Sequence, residues 1–333
     1  MTRIFDEPAS VISFAAVGGR SEGEGPLGDY FDFISEDEFF DCPTYESAES
    51  ALQRQTVDIA LEKAALARES IDLYIGGDLL NQCVATSFGM RDMPSSMLGI
   101  YSACSTFTEG LLLSGVFVSA SLADKVVSVT SSHFYSAERQ YRMPLEYGGQ
   151  RSPTTQRTAT ASGAAVVSKA DFAPFIKGFT IGRINDLGVT DASNMGAAMA
   201  PAAYDTISLF FKESGKRMED FDHIVTGDLG FTGSEILYKL FDMDGVDIRD
   251  KHLDCGKLLY DRQKQDVHSG GSGCGCAASV SCAYLLPKVQ TGELNNILIA
   301  ATGALLSPTV NMQGESIPGI SHAVWLSHTK EGL

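Results

Sequence analysis

Ile71-Asp72-Leu73-Tyr74-Ile75-Gly76-Gly77-Asp78 and Phe221-Asp222-His223-Ile224-Val225-Thr226-Gly227-Asp228 are the two stretches that decide the fold. Each carries a short apolar run, too short for a helix and stopped by glycine, so each reads as a buried strand. Asp, Gly and Asp coincide, and the apolar pattern between them agrees. The parallel extends downstream. Cys104 opens an apolar segment, through Ala120, that leads to the strand Val126–Thr130. Cys274 stands near the start of a segment that leads to the strand Asn296–Ala300. The separation from Cys104 to Lys125 equals that from Cys274 to Asn295. The chain therefore reads as an internal duplication, two halves each with a strand, a loop, a buried helix and a strand.

The rest of the chain alternates in the same way. Strands are expected at Val11–Val17, 175–184, 297–301 and, at a sheet edge, 322–326. Helices are expected at 48–69, 198–216, 234–241 and 277–289. In the helix 48–69, Leu52, Val57, Ala60 and Leu61 make the apolar face, while Gln53, Arg54, Asp58 and Glu62 face water. The acid- and glycine-rich stretch 21–41 is expected to run over the surface. Met90, Met93, Met97, Met195 and Met199 are read as core or pocket filling. This is an α/β pattern with mostly buried strands. Residues 1–170 form one half and 171–333 the other.

Composition excludes several functions. The 333 residues hold 42 acidic against 25 basic side chains, a net charge of −17. Such a surface does not bind nucleic acid through its bulk, nor adhere unaided to an anionic membrane. The longest apolar stretch, Leu111–Leu122, is too short to span a bilayer, and the charged N-terminus lacks a secretory core. Seven cysteines, an odd count, fit free thiols in a reducing compartment, so the chain is expected to be intracellular and soluble. No phosphate-binding Gly-Lys-Ser/Thr loop and no EF-hand pattern is present. Cys274, Cys276, Cys282, Cys255, His252 and His268 were weighed as a zinc set, but their spacings fit no usual finger. No metal and no resident cofactor are expected.

The sharpest chemical signal is Gly99-Ile100-Tyr101-Ser102-Ala103-Cys104-Ser105-Thr106-Phe107. Unpaired amides at a helix start stabilise a thiolate, and the small neighbours leave a ligand room, so Cys104 is a nucleophile or a ligand-site thiol. A buried structural thiol is the bland alternative. In this acidic chain a basic group stands out: His133, Arg139, Arg142, Arg151 and Arg157, of which His133 and Arg151 are favoured as ligand contacts. Surface pairing with Glu138 and Glu146 is the competing reading. The run His268–Cys276 is either an anion-binding nest or a compact turn that lets the halves pack.

The segment Asp72–Ser132, with Ala103-Cys104 at the head of its buried helix, resembles thiolase-fold condensing enzymes of the β-ketoacyl-acyl-carrier-protein synthase III type. Cys104-Ser105-Thr106, Ser131-Ser132-His133-Phe134, Pro144-Leu145-Glu146-Tyr147-Gly148, Gln150-Arg151 and Gly270-Gly271-Ser272-Gly273-Cys274-Gly275-Cys276 resemble, essentially end to end, the stage V sporulation protein AD family of spore-forming bacteria. The resemblance implies a thiolase-like five-layered αβαβα fold of two similar halves. It also implies binding of dipicolinic acid (pyridine-2,6-dicarboxylate) and a part in its uptake into developing spores, with membrane proteins of the same operon as partners. Calcium would enter only through bound dipicolinate. By the same resemblance the protein is spore-associated, peripheral to the spore inner membrane, and a homodimer with its interface near the elements after Cys83 and Val126. The condensing enzymes pair their Cys with a His and an Asn. Gly227 stands where the His belongs and Gly273-Cys274 where the Gly-Asn belongs. The expected activity is therefore non-catalytic binding through Cys104, Ser105, His133, Arg151, His268, Ser272, Gly273 and Cys274. The alternative is an acyltransferase that uses Cys104 as an acyl-carrying nucleophile.

Overall fold

Asp72 accepts hydrogen bonds from the amides of Asp124 and Lys125 at 2.9 Å each, and Asp222 accepts them from Asn295 and Asn296 at 2.6 and 2.8 Å. Each aspartate thus ties the start of one strand to the start of its neighbour. The two ties are related by the duplication read from the sequence. The computed structural model describes residues 1–142 and 151–331. The motif at 144–148 and Gln150 lie outside the described residues.

The first half runs β1 (Thr2–Gly19), α1 (Arg20–Gly23), β2 (Phe33–Ser35), α2 (Tyr45–Lys63), β3 (Leu73–Gly77), α3 (Val84–Met90), β4 (Ser96–Gly99), α4 (Thr106–Ser119), β5 (Lys125–Ser132), α5 (Phe134–Tyr141), β6 (Arg157–Thr158) and β7 (Ala161–Ser168). The second runs β8 (Phe175–Ile181), α6 (Met195–Ser214), β9 (His223–Thr226), α7 (Gly230–Met243), β10 (His252–Asp254), α8 (Cys255–Leu258), β11 (Gly271–Ser272), α9 (Cys274–Val280), α10 (Leu286–Thr291), β12 (Asn296–Ala304), α11 (Pro308–Met312) and β13 (Gly319–Ser327). A single π-helical segment, Ser281–Leu285, joins α9 to α10.

The strand order β10-β9-β12-β13-β8-β1-β7-β5-β3-β4 is symmetric about the β8/β1 pair. Each half contributes five strands in the same relative order. In both, the outer strands pair in parallel and the strand next to the innermost pairs antiparallel. Strand faces explain the layers. Val126 faces the central core and Val127 and Val129 the outer one. Likewise Ile297 and Ile299 face inward, and Leu298 and Ala300 outward. Strands buried on both faces need helices on both sides. Here α4 and α9 fill the centre, with α2 outside one half and α6 outside the other. This is the expected five-layered αβαβα arrangement.

Several local expectations need correction. β13 is no edge strand, because it pairs with both β12 and β8 and buries Val324, Trp325 and Leu326. α2 ends at Lys63, and Ala65 takes a positive φ of 52°. Gln53, assigned to the wet face, is fully buried and donates to Thr86 and Ser131 at 3.0 and 3.2 Å. The surface excursion 21–41 contains β2, which extends β1 in parallel. β7 escaped the sequence reading altogether, since Ala161-Ser162-Gly163-Ala164-Ala165 has little of the β-branched bulk that marks a strand.

Candidate functional site

Cys104 lies two residues before α4, behind Ala103, whose φ of 47° turns the chain sharply. A left-handed alanine is costly and persists only where its surroundings impose it. Gly303 on β12 helps to allow this turn, because a Cβ there would lie 2.4 Å from the Ser102 carbonyl oxygen and 3.2 Å from the Ala103 Cβ. Several of the amides around the start of α4 are already in use. The amides of Ser102, Ser105 and Thr106 bond within the turn, to the Thr106 hydroxyl and to the Ser102 and Ala103 carbonyls.

What does meet the sulfur comes from the other half. The Asp228 carboxylate, the Gly273 N–H and the Ser272 hydroxyl stand beside the thiol and act on it electrostatically. Asp228 follows β9 and is fully buried. It accepts from Ser272 Oγ at 3.1 Å, Gly273 N at 2.9 Å and Thr302 Oγ1 at 3.0 Å. Burial pushes Asp228 up to about 6, while the thiol and the other donors pull it back. Burial also pushes the Cys104 thiol well above its ordinary value, and the carboxylate beside it pushes further. A helix start would have lowered it. Here the desolvation and the neighbouring charge win.

Gly227 has little room for anything but hydrogen. A Cβ there would sit 3.1 Å from Ala301 Cα and 3.2 Å from Ala277 Cβ. The position that resemblance assigns to an imidazole is thus tightly packed, and a side chain there would need its neighbours to yield. Among the described residues the imidazole nearest to this turn by hydrogen bonding is His322. Its Nε2 lies 3.0 Å from the Ser102 hydroxyl, which also accepts from Ser105 Oγ at 2.8 Å. Its Nδ1 accepts from the Gly182 amide at 3.3 Å. Burial pulls His322 down to about 4, so it stands neutral.

A narrow cleft of about 30 Å3 reaches Cys104, room for roughly two waters. Tyr101, Tyr141, Thr158, Met195, Ser272 and Arg142 are among its walls, and Arg142 is the one cation among the described residues that line it. Arg142 is ion-paired with Glu138. Outside lies a vestibule of about 480 Å3 walled by Asn81, Cys83, Gln140, Ser307 and Thr309. Tyr101, Tyr141 and Leu306 belong to both spaces and so separate them.

Cys104, Ser272, Gly273 and Cys274 come together as the sequence proposed, with the Cys274 thiol donating to the Ser131 carbonyl at 3.0 Å. Ser105 is adjacent but its hydroxyl points back at Ser102. The other three are placed elsewhere. His133 is buried beneath Tyr45 and Tyr135 with Nε2 2.8 Å from the Glu38 carbonyl, and burial pulls it down to about 4. Arg151 donates to the Asp266 carboxylate at 2.5 Å, and His268 Nε2 lies 3.1 Å from the same carboxylate. The glycine run behaves as the compact turn. Its Gly273 amide is occupied by Asp228, and a Cβ on Gly275 would lie 2.2 Å from the Ala161 carbonyl oxygen. The candidate zinc ligands are dispersed, and among the described residues no three His, Cys, Asp or Glu side chains gather as a metal site. Sequence reasoning missed Asp228, Tyr101 and Tyr141. For Asp228 the signal was available, since it is the last matched position of the repeat.

The profile of the stage V sporulation protein AD family matches residues 1–327. Stage V sporulation protein AD of Bacillus subtilis (strain 168) is 41% identical over 323 residues, covering 97% of this chain and 95% of that protein. Among solved structures, 3-oxoacyl-[acyl-carrier-protein] synthase III from Aquifex aeolicus VF5 superposes with a TM-score of 0.57 at 14% identity, covering 96% of this chain and 99% of that one. A cerulenin-bound OleA variant from Xanthomonas campestris superposes with a TM-score of 0.62 at 14% identity, covering 97% of each chain. At such identities these two likenesses speak for the fold.

Proposed function

The chain belongs to the stage V sporulation protein AD family, and on that footing we propose that this sporulation protein is a non-catalytic receptor for dipicolinic acid that takes part in uptake of the diacid into the developing spore. The observation that carries the reading is what surrounds Cys104. The thiol meets a carboxylate where condensation needs a proton-relaying imidazole, and Gly227 leaves little space for one. A cleft without those partners can still bind. Arg142 offers a fork to one ligand carboxylate, and Tyr101 and Tyr141 offer flat faces to the ring. The vestibule, about 480 Å3, is large enough to receive the ligand, with Tyr101 and Tyr141 between it and the inner cleft. Calcium would travel on the ligand's own carboxylates. Among the described residues no helix is long and apolar enough to cross a membrane. In this reading, contact with the spore inner membrane runs through membrane-protein partners.

Calorimetric titration of the purified protein with dipicolinic acid, with and without calcium, tests this. Saturable binding that benzoate does not reproduce is the expected result. Absence of saturation under both conditions overturns it.

A further inference from the structure

The donors at the floor of the cleft are already in use. Gly273 N–H, the Ser272 hydroxyl and the Thr302 hydroxyl converge within 3.1 Å of one carboxylate, and that carboxylate is the protein's own Asp228. Convergent donors of this kind are what an acyl-transfer site aims at a developing oxyanion. Here they aim at a side chain that is fully buried, and one of them, Ser272, lines the same cleft as Cys104. We propose that Asp228 is a positioning residue that holds Cys104 as a resting thiol by occupying, with a built-in carboxylate, the anion-binding donors of the cleft.

The charged and titratable groups around that place can be named among the described residues. Facing the thiol are Ser272, Gly273 and Cys274 from the glycine run, Tyr101 from the segment before α4, and Tyr141 and Arg142 from the end of α5. Arg142 is engaged with Glu138. Asp254 is a second buried carboxylate that bears on Asp228. Of these groups, Asp228 is the carboxylate whose charge bears directly on the thiol. A thiolate formed there would face a neighbouring buried carboxylate, in a site without bulk water to screen it. The backbone maintains the arrangement. Gly273 takes a φ of 99°, and a Cβ on it would strike Ser132 Oγ at 2.7 Å, so the donor cannot easily be aimed elsewhere. The inference concerns the thiol and stands whichever acid the cleft receives.

Alkylation of the full-length protein by iodoacetamide, followed cysteine by cysteine through peptide mass from about pH 6 to about pH 10, tests it. Asp228→Asn removes the charge and Asp228→Ser also removes bulk. Cys83, half-buried at the vestibule, is the internal standard, and Cys276 and Cys282, fully buried, report any general loosening. The expected result is Cys104 alkylation faster by about tenfold or more at neutral pH, with its profile displaced by about one unit to lower pH, while the other three cysteines keep their rates. An unchanged or slower Cys104 with Cys276 and Cys282 still protected overturns the proposal. Exposure of those two cysteines in both variants also overturns it, since Asp228 would then be holding the fold.

Discussion

Tyr101 and Tyr141 join their hydroxyls at 3.1 Å across the neck between the vestibule and the Cys104 cleft. Tyr141 is fixed from behind by donating to the Leu79 carbonyl, and Gln140 donates to the same oxygen at 3.1 Å. Tyr101 is 44% exposed, and among the described residues its hydroxyl bonds to that of Tyr141. Its removal is therefore the milder way to open the neck. Tyr101→Ala should change stability by no more than about 1 kcal/mol. It should let a bulky maleimide reach Cys104, which the native neck excludes. Mass spectrometry after timed labelling reads this. Equal labelling of native and variant protein by the bulky reagent would refute the gate.

Arg142 and Arg151 separate two readings of the basic segment. Both are ion-paired, Arg142 with Glu138 and Arg151 with Asp266, but of the two it is Arg142 that lines the cleft. Losing a charge-assisted hydrogen bond costs about 1.5–3 kcal/mol. Arg142→Ala should therefore weaken dipicolinate binding by about tenfold to a hundredfold, and Arg151→Ala should leave it unchanged. Calorimetry on both variants decides. The reverse ranking would move the ligand to the Asp266 side.

The halves were legible because their repeat is carried by residues with fixed backbone duties. Asp72 and Asp222 each bind two strand-end amides, so they recur at matching places and can be seen in one dimension. The site was less legible for a physical reason. Cys104 is in one half and Asp228 in the other, and only tertiary packing brings them together: β12 carries both Thr302, which bonds Asp228, and Gly303, which lies against the Ser102–Cys104 turn. His133 and Arg151 drew attention by type and motif. Chain proximity to Cys104 is not spatial proximity, and both are engaged by other partners. The burial of Gln53 was hidden likewise, since its partners Thr86 and Ser131 come from other elements.

β4 ends the sheet, and its outer backbone groups have no strand beside them among the described residues. Leu98 on it and Phe88 nearby are 41% and 53% exposed. An apolar edge invites a strand from another chain. A second copy is the expected occupant, so the native protein should sediment at twice its 35.6 kDa. Leu98→Lys should sediment as a monomer. A native monomer at micromolar concentration would contradict this.

His252 is buried between Thr226 Oγ1 at 2.8 Å and the Tyr238 hydroxyl at 2.9 Å. Burial pulls it down to about 3, with Lys257 adding to the effect. The unfolded chain takes up its proton near pH 6.5, so between about 6.5 and about 3 the unfolded state holds more protons than the folded one. Stability from this group is complete above about pH 6.5 and is lost as pH falls toward 3. His252→Gln removes that dependence. The gap between native and variant should narrow as pH falls from about 7 to about 4, by a few kcal/mol at most. Urea midpoints across that range measure it. A gap that is constant or grows would show that His252 does not carry the dependence.

Gly275 and Gly99 make an opposite pair. Gly275 lies in α9, where alanine would ordinarily be the better helix former by about 1 kcal/mol. Yet its Cβ would lie 2.2 Å from the Ala161 carbonyl oxygen and 2.7 Å from the Ser132 amide nitrogen, both backbone atoms of the neighbouring sheet. Those atoms cannot rotate away, so α9 must lift off β5 and β7. Overpacking of this kind costs about 1–3 kcal/mol, and more where backbone is struck. Gly275→Ala should thus lose about 3 kcal/mol despite its helix propensity. It should also loosen Gly273, two residues away, and with it the floor of the cleft. Gly99, on the edge strand, would meet nothing within 4 Å, so Gly99→Ala should be near neutral. Chemical denaturation of the two variants side by side separates helix propensity from layer contact. A stabilised Gly275→Ala would mean that α9 and the sheet do not approach so closely.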